Sequence, residues 1–361
     1  MSLLMIPGPT NVPQRIKDAI ARDPVPHREK GFLKLFKETN DRLKPVFGCA
    51  DGEAIILAGT GTTVMDASLT SMFDPEDKVL NIVSGKFSER YMEITQAHGR
   101  QSRVLQCEWG ARVPVAKVKE ILDTENISGV TICHNETSTG VCNVNEIKEI
   151  GKIVRAKGGY LLVDAVSSLG GMEMNMDQWD VDVCVSAGQK CFMLPPIIAF
   201  MCMNRRAIER MRTRKHRGYF TDPIAYLNDK DKAPYTPPIN AVFGLAESLN
   251  IMYEEGLQKR YARHHEMALH CRDLTKKLGL RFYPKEEAIM SDVVTGMAVE
   301  GFDESAVRKR LAEEYKVNIA GGQGQVKGKI IRVAHMGMVT KENLDYTMQG
   351  LGKILAEVRG K

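Results

Sequence analysis

The chain has no hydrophobic run long enough to cross a membrane, no CxxC pair and no strong excess of either charge. Its longest apolar stretch, Cys191 to Met203, is interrupted by Pro195 and Pro196 and falls short of the ~20 residues that a bilayer helix requires. Residues 1–7 lack the basic start and long apolar core of a signal peptide, so a cytoplasmic location with no membrane partner is expected. The eight cysteines, at 49, 107, 133, 142, 184, 191, 202 and 271, are unpaired in spacing, and several lie in apolar runs. They read as reduced core residues, not as disulfides or a metal site. Fifty Lys and Arg against 45 Asp and Glu leave a net charge of only +5, spread along the chain, which gives no basis for a nucleic-acid partner. The one dense basic cluster, Arg210 to Arg217, reads as a solvated helix end. There is no P-loop and no dinucleotide fingerprint. A zinc-protease reading of residues 262–271 fails on spacing: His265 and His270 are five apart, about 140° around a helix.

What remains is an ordinary soluble composition, 43% hydrophobic and 26% charged over 361 residues, enough for a large domain and a smaller one. Between about 50 and 205, short apolar runs alternate with amphipathic stretches. The runs are 54–58, 79–83, 103–107, 129–133, 160–166, 181–185 and 197–203, and helical patterns occupy 63–73, 88–98, 115–123 and 144–157. That alternation predicts an α/β fold: a mainly parallel seven-stranded sheet sandwiched by helices. Residues 218–240 read as a long exposed loop, and 241–278 as one long helix or two in sequence. Strand-like 293–299 and 329–334, with helical 304–314 and 341–358, predict a smaller α+β unit. The expected division is an N-terminal segment 1–14, a large domain 15–250 and a small C-terminal domain 251–361. Ligands of such sheets bind beyond the carboxyl ends of the strands.

Several chemically capable residues stand at those ends. Lys190 closes an apolar run that starts at Val181, and Asp164 lies near the end of another. A lysine there is costly unless its amine is used. A lysine that forms an imine and an aspartate that holds a protonated pyridine nitrogen are the two groups a pyridoxal phosphate enzyme needs. Leu57-Ala58-Gly59-Thr60-Gly61-Thr62-Thr63 follows a strand and opens a helix, as either an anion-binding turn or a plain capped turn. His134 to Gly140 is either a ligand-contacting polar loop or a capping loop. Phe87 is either a ring-stacking aromatic or a core residue, and Arg332 either an ion-paired strand residue or a clamp for a carboxylate.

Taken in chain order, these segments resemble the class V aminotransferases of fold-type I, specifically the alanine–glyoxylate and serine–pyruvate group. The resemblance runs from Pro7-Gly8-Pro9-Thr10 and His27-Arg28 through Ala58–Thr62, His134–Gly140 and Val163–Gly171 to Ser186-Ala187-Gly188-Gln189-Lys190 and Arg332. It implies pyridoxal 5'-phosphate as cofactor, Lys190 as its covalent anchor and Asp164 as partner of the ring nitrogen. Thr137 would contact the ring hydroxyl, Phe87 would stack on the ring, and Thr60, Gly61, Thr62 and Gln189 would hold the phosphate. It implies a homodimer with active sites at the subunit interface, in which Tyr235 and Thr236 complete the neighbour's phosphate site, and Arg332 as the residue that takes the substrate α-carboxylate. The expected reaction moves an amino group from alanine or serine to glyoxylate or pyruvate by a ping-pong mechanism. Lys86 or Arg28 would supply a second cation if the donor were anionic: aspartate, cysteate, 2-aminoethylphosphonate or phosphoserine. A cofactor-binding protein without activity is the remaining alternative. Three positions depart from the group's usual pattern: Phe87 where tryptophan is common, SAGQK for SGSQK, and no glycine after Pro195-Pro196. These spare the chemistry and bear on the substrate pocket.

Overall fold

The computed structural model describes residues 2–228 and 233–360. Seven strands form the central sheet: β1 Gly52–Ala58, β2 Lys78–Val83, β3 Gln101–Gln106, β4 Gly129–Cys133, β5 Tyr160–Asp164, β6 Val183–Ala187 and β7 Ile198–Asn204. Their order is β1-β7-β6-β5-β4-β2-β3, with β7 antiparallel to both neighbours and every other pair parallel.

The inner strands are largely apolar because both faces are covered, whereas the edge strand β3 is mostly polar and exposed, and alternate residues feed two separate cores. Ile56, Leu80, Ile82, Val130, Val163 and Phe200 pack on one side with the helices Lys30–Phe47, Val144–Ala156 and Ile239–Glu255. Leu57, Val79, Leu162, Val185 and Met201 pack on the other with the helices Gly61–Met72, Lys86–Ala97 and Arg205–Thr213. The seven-stranded sheet between helices is therefore as the apolar runs predict, with ends displaced by a residue or two. β5 stops at Asp164 and β6 at Ala187, so Lys190 lies three residues beyond its strand.

The helical pattern after 240 resolves into two helices, Ile239–Glu255 and Leu257–Lys277, broken at Gly256, whose φ of 84° leaves the helical region. The stretch 218–240 is not simply a loop. Pro223–Asn228 is a short helix whose Ile224, Tyr226 and Leu227 are buried, while 229–232 fall outside the described residues. Three of the four arginines of the basic cluster are ion-paired, while Arg212 and Lys215 are exposed. Arg210 pairs with Asp77 at 2.9 Å, Arg214 with Asp74 at 3.3 Å and Arg217 with Asp222 at 3.0 Å. Spacing along a helix shows the cluster but not the aspartates that neutralise it from other elements.

Three further strands, β8 Val294–Ala298, β9 Ala320–Gly321 and β10 Ile330–Ala334, make an antiparallel sheet in the order β8-β10-β9. Helices Glu304–Tyr315 and Lys341–Arg359 pack with it around Val307, Leu311, Ile331, Leu344 and Leu351. The N-terminal residues join this layer. Leu3 and Leu4 pair with Val317 and Asn318, and Met5 is buried in the same cluster. The chain then crosses to the end of β6, where Thr10 donates from its backbone to the Gln189 carbonyl and from its hydroxyl to that of Lys190.

Candidate active site

Because β1, β2, β4, β5 and β6 all point the same way, their carboxyl ends bring five sequence-distant segments to one edge of the sheet. They enclose a cleft of about 140 Å3. Of the predicted site residues, Thr60, Gly61, Thr62, Phe87, Thr137, Asp164, Gln189 and Lys190 line it.

Asp164, the last residue of β5, is 6% exposed and accepts hydrogen bonds from the Val166 N–H at 2.7 Å and the Cys133 thiol at 3.6 Å. Burial pushes its carboxyl up to about 6, against the pull of the Val166 N–H. Lys190 is displaced the other way, down to about 8, again by burial, with Asp164 partly offsetting it. Both groups are thus moved towards their neutral forms in one cleft. The Lys190 amine donates to the Pro7 carbonyl and lies 5.9 Å from the centre of the Phe87 ring.

Thr60, Gly61 and Thr62 stand at the start of the helix Gly61–Met72, whose first N–H groups have no partner within the helix. Gly59 supplies the turn, with φ of 139° and no room for a Cβ, which would fall 2.3 Å from Thr63 Oγ1. Thr137 follows β4, and its hydroxyl donates to Ser167 Oγ at 2.7 Å. Arg332, on β10, is 2% exposed. It donates to the Gly321 carbonyl from Nε and Nη2 at 3.0 and 2.6 Å, and to the Thr137 carbonyl from Nη1 at 2.9 Å. These bonds use three of its five N–H groups and leave one on each terminal nitrogen. Burial lowers its guanidinium to about 10, so it stays charged at neutral pH.

Tyr235, Thr236 and Arg332 do not line this cleft, although Arg332 reaches the carbonyl of Thr137, which does. Tyr235 packs against Tyr219, Phe220 and Tyr226 and donates to the Tyr219 carbonyl. The two cations considered for a second anion site are otherwise placed. Lys86 is held by Glu89 and Glu93 at 2.8 and 3.2 Å, and Arg28 is exposed and off the cleft lining. Sequence reasoning passed over Arg90, which does line the cleft, with its guanidinium 5.3 Å from the Phe87 ring centre and no ion pair among the described residues. Its signal was the three-residue spacing from Phe87, which puts both on one helix face. Asn135 and Ser167 also line the cleft, inside segments noted only as motifs.

An amine, a buried carboxylate and a helix start therefore share one cleft, and residues 7–346 match the family of aminotransferases class-V. The chain belongs to that family. The aminotransferase has the α/β architecture of fold-type I, and its cofactor is pyridoxal 5'-phosphate. It is 33% identical to the L-aspartate–glyoxylate aminotransferase of Paracoccus denitrificans, over 93% of this chain and 87% of that one. It is also 33% identical to the serine–glyoxylate aminotransferase of Hyphomicrobium methylovorum, over 98% of this chain and 88% of the relative. The crystal structure of the alanine–glyoxylate aminotransferase of a Nostoc species superposes with a TM-score of 0.94 at 30% identity, covering 98% of this chain and 95% of the other.

The residues present fit the cofactor. Gln189 Oε1 and Asn135 Oδ1 are buried amide oxygens without a hydrogen-bond partner. Asn135 beside Thr137 suits a ring hydroxyl, and the Gln189 amide, beside Thr60–Thr62, suits a phosphate once turned to present its NH2. Among the described residues no helix is long and apolar enough to cross a membrane, no His, Cys, Asp or Glu cluster suits a metal, and all eight cysteines are free.

Proposed function

We propose that this aminotransferase takes the amino group of a small amino acid, alanine or serine, and passes it to glyoxylate or pyruvate by a ping-pong cycle. The observation that carries the chemistry is the shared cleft of Lys190, Asp164 and the Thr60-Gly61-Thr62 helix start. Bound pyridoxal phosphate supplies an electron sink conjugated with the substrate nitrogen. Thr60, Gly61, Thr62 and Gln189 hold its phosphate, Phe87 covers the ring and Thr137 meets the ring hydroxyl. Asp164 keeps the proton on the ring nitrogen. Arg332 takes the α-carboxylate with the N–H left on each terminal nitrogen, which aligns the Cα–H bond. Lys190 anchors the cofactor covalently. Its amine, lowered to about 8, would be the base that handles the proton on the substrate Cα.

A small donor is favoured because Lys86 is already paired and Arg28 stands outside the cleft, so neither is free for a side-chain anion. The serine–glyoxylate and alanine–glyoxylate relatives support the same reading. Arg90 favours a second one: a cation in the cleft with no ion pair among the described residues suits an acidic donor such as aspartate, the donor named for the Paracoccus relative. Tyr235 and Thr236, outside the cleft of their own chain, support a homodimer in which each subunit completes its partner's phosphate site.

A donor–acceptor screen of the purified, cofactor-loaded protein decides between the readings. Preference for alanine or serine with glyoxylate or pyruvate is expected. Preference for dicarboxylic donors would overturn the small-donor reading in favour of the second, and no turnover with any pair would overturn both.

A further inference from the structure

Glu136 is the one fully buried carboxylate in the loop after β4 that the chemistry above leaves unused. It has 0% exposure and no cation within ion-pair distance among the described residues. An unpaired buried carboxylate is costly unless hydrogen bonds hold its charge. Here they do. Oε1 accepts from the Phe87 N–H at 3.2 Å, the Ser138 N–H at 3.1 Å and the Ser138 hydroxyl at 2.6 Å. Oε2 accepts from the Ser88 N–H at 2.8 Å, and the Ser88 hydroxyl lies 2.9 Å away.

Two of these donors open the helix Lys86–Ala97. The first three N–H groups of that helix belong to Lys86, Phe87 and Ser88, and none has a partner inside the helix. Ser138 Oγ accepts the first, and Glu136 the second and third. The helix that carries Phe87 is therefore capped in trans, by the loop that carries Thr137. Gly85 makes this possible, since a Cβ there would fall 2.3 Å from both Cγ and Cδ of Glu136. The next residue, Thr137, is tied to Ser167 through its hydroxyl and to Arg332 through its carbonyl.

We propose that Glu136 is a positioning residue for the cofactor ring: its carboxylate fixes the stacking face of Phe87 relative to Thr137, and the negative charge as well as the shape is required. The inference rests on the reading of Phe87 as the residue that covers the ring. Charge is required because all five groups around the two oxygens are donors or hydroxyls. Glutamine has the same shape but presents one NH2, which must face at least one backbone N–H. Its least unfavourable orientation sets the NH2 against the Ser88 N–H, which displaces the first helical turn and Phe87 with it.

The test is a double-mutant cycle on cofactor affinity, with Glu136→Gln, Phe87→Ala and the pair, read by titrating the purified apoproteins with pyridoxal phosphate. Visible circular dichroism of the bound cofactor is read alongside. If Glu136 acts through Phe87, Glu136→Gln weakens binding about tenfold and alters the dichroic band in the wild-type background, yet changes affinity less than about threefold when Phe87 is already alanine. Glu136→Asp, which keeps the charge and shortens the reach, gives the same coupling should Glu136→Gln not fold. Additive effects would overturn the inference, as would unchanged affinity and dichroism in a variant that only melts earlier. Wild-type protein that does not bind the cofactor at all would overturn the aminotransferase reading and this inference together, a result distinct from an additive cycle.

Discussion

A Cβ placed on Gly8 would fall 2.6 Å from Cδ of Lys190 and 2.7 Å from its Nζ. The backbone there has φ of 100°, a conformation that side chains rarely adopt, and the neighbouring Pro7 carbonyl accepts from the Lys190 amine. The N-terminal crossing thus lies directly on the lysine. Gly8→Ala brings both strain and a collision with the group that must swing between cofactor and substrate. Covalent capture of the cofactor is expected to slow by an order of magnitude or more, since a displacement of about 1 Å at a reacting group costs that much. Melting temperature changes by only a few degrees, because about 1 kcal/mol of backbone strain is at stake. Stopped-flow absorbance on the apoprotein checks it, and a wild-type capture rate would show that the lysine moves clear of residue 8.

Asp164 has a carboxyl raised to about 6 by burial, so the empty pocket carries a penalty. A raised folded-state value means that the group's stabilising contribution is complete below its unfolded value near 4 and is lost as pH climbs through 6. At pH 7 the cost is on the order of 3 kcal/mol. Asp164→Asn removes the charge and keeps the shape, and its oxygen still accepts from the Val166 N–H. The apo variant is therefore expected to melt above wild type at pH 7 and close to it at pH 4, while binding pyridoxal phosphate far more weakly. Calorimetry of the two apoproteins at both pH values decides this. A variant less stable than wild type at pH 7 would contradict it.

Lys190 titrates in the opposite sense. Its amine is lowered to about 8, so the neutral, nucleophilic form grows as pH rises through that value instead of through 10. Capture of pyridoxal phosphate by the apoprotein should accelerate from pH 7 to 9 and level off above. Lys190→Ala should abolish the visible band of the covalently held cofactor at every pH. A band that survives the substitution would move the anchor to another lysine.

The parts of the fold that rest on local pattern were legible in the sequence. Strands buried on both faces read as apolar runs, and the residues just after them, from Thr60 to Lys190, fell at one edge because the topology puts strand ends there. The relationships that needed a partner from elsewhere were not legible. Glu136 looked like one polar residue among several, and only the first turn of the helix from Lys86 shows what its carboxylate holds. Arg210, Arg214 and Arg217 looked solvated until Asp77, Asp74 and Asp222 were brought to them. Lys86 looked available until Glu89 and Glu93, three and seven residues along its own helix, took its amine. That last pairing was in principle readable from helical spacing.

Arg332 joins the two sheets, and its replacement separates charge from geometry. Its bonds to the Gly321 and Thr137 carbonyls hold the guanidinium flat while a terminal N–H on each side remains for a carboxylate. Arg332→Lys keeps a positive charge but has no fork. A single ammonium cannot serve both carbonyls and also grip a carboxylate at two points. KM for the amino donor and for the oxo-acid acceptor should rise together, by about a hundredfold, because each half-reaction presents an α-carboxylate to the same residue and a lost charge-assisted pair costs ~3 kcal/mol. Arg332→Ala should do the same and also lower the melting temperature, since the two carbonyls are then buried without donors. Cofactor binding should persist in both variants. Steady-state kinetics with donor and acceptor varied separately is the measurement, and an effect confined to one substrate would place the carboxylate of the other against a different cation, with Arg90 the first to replace.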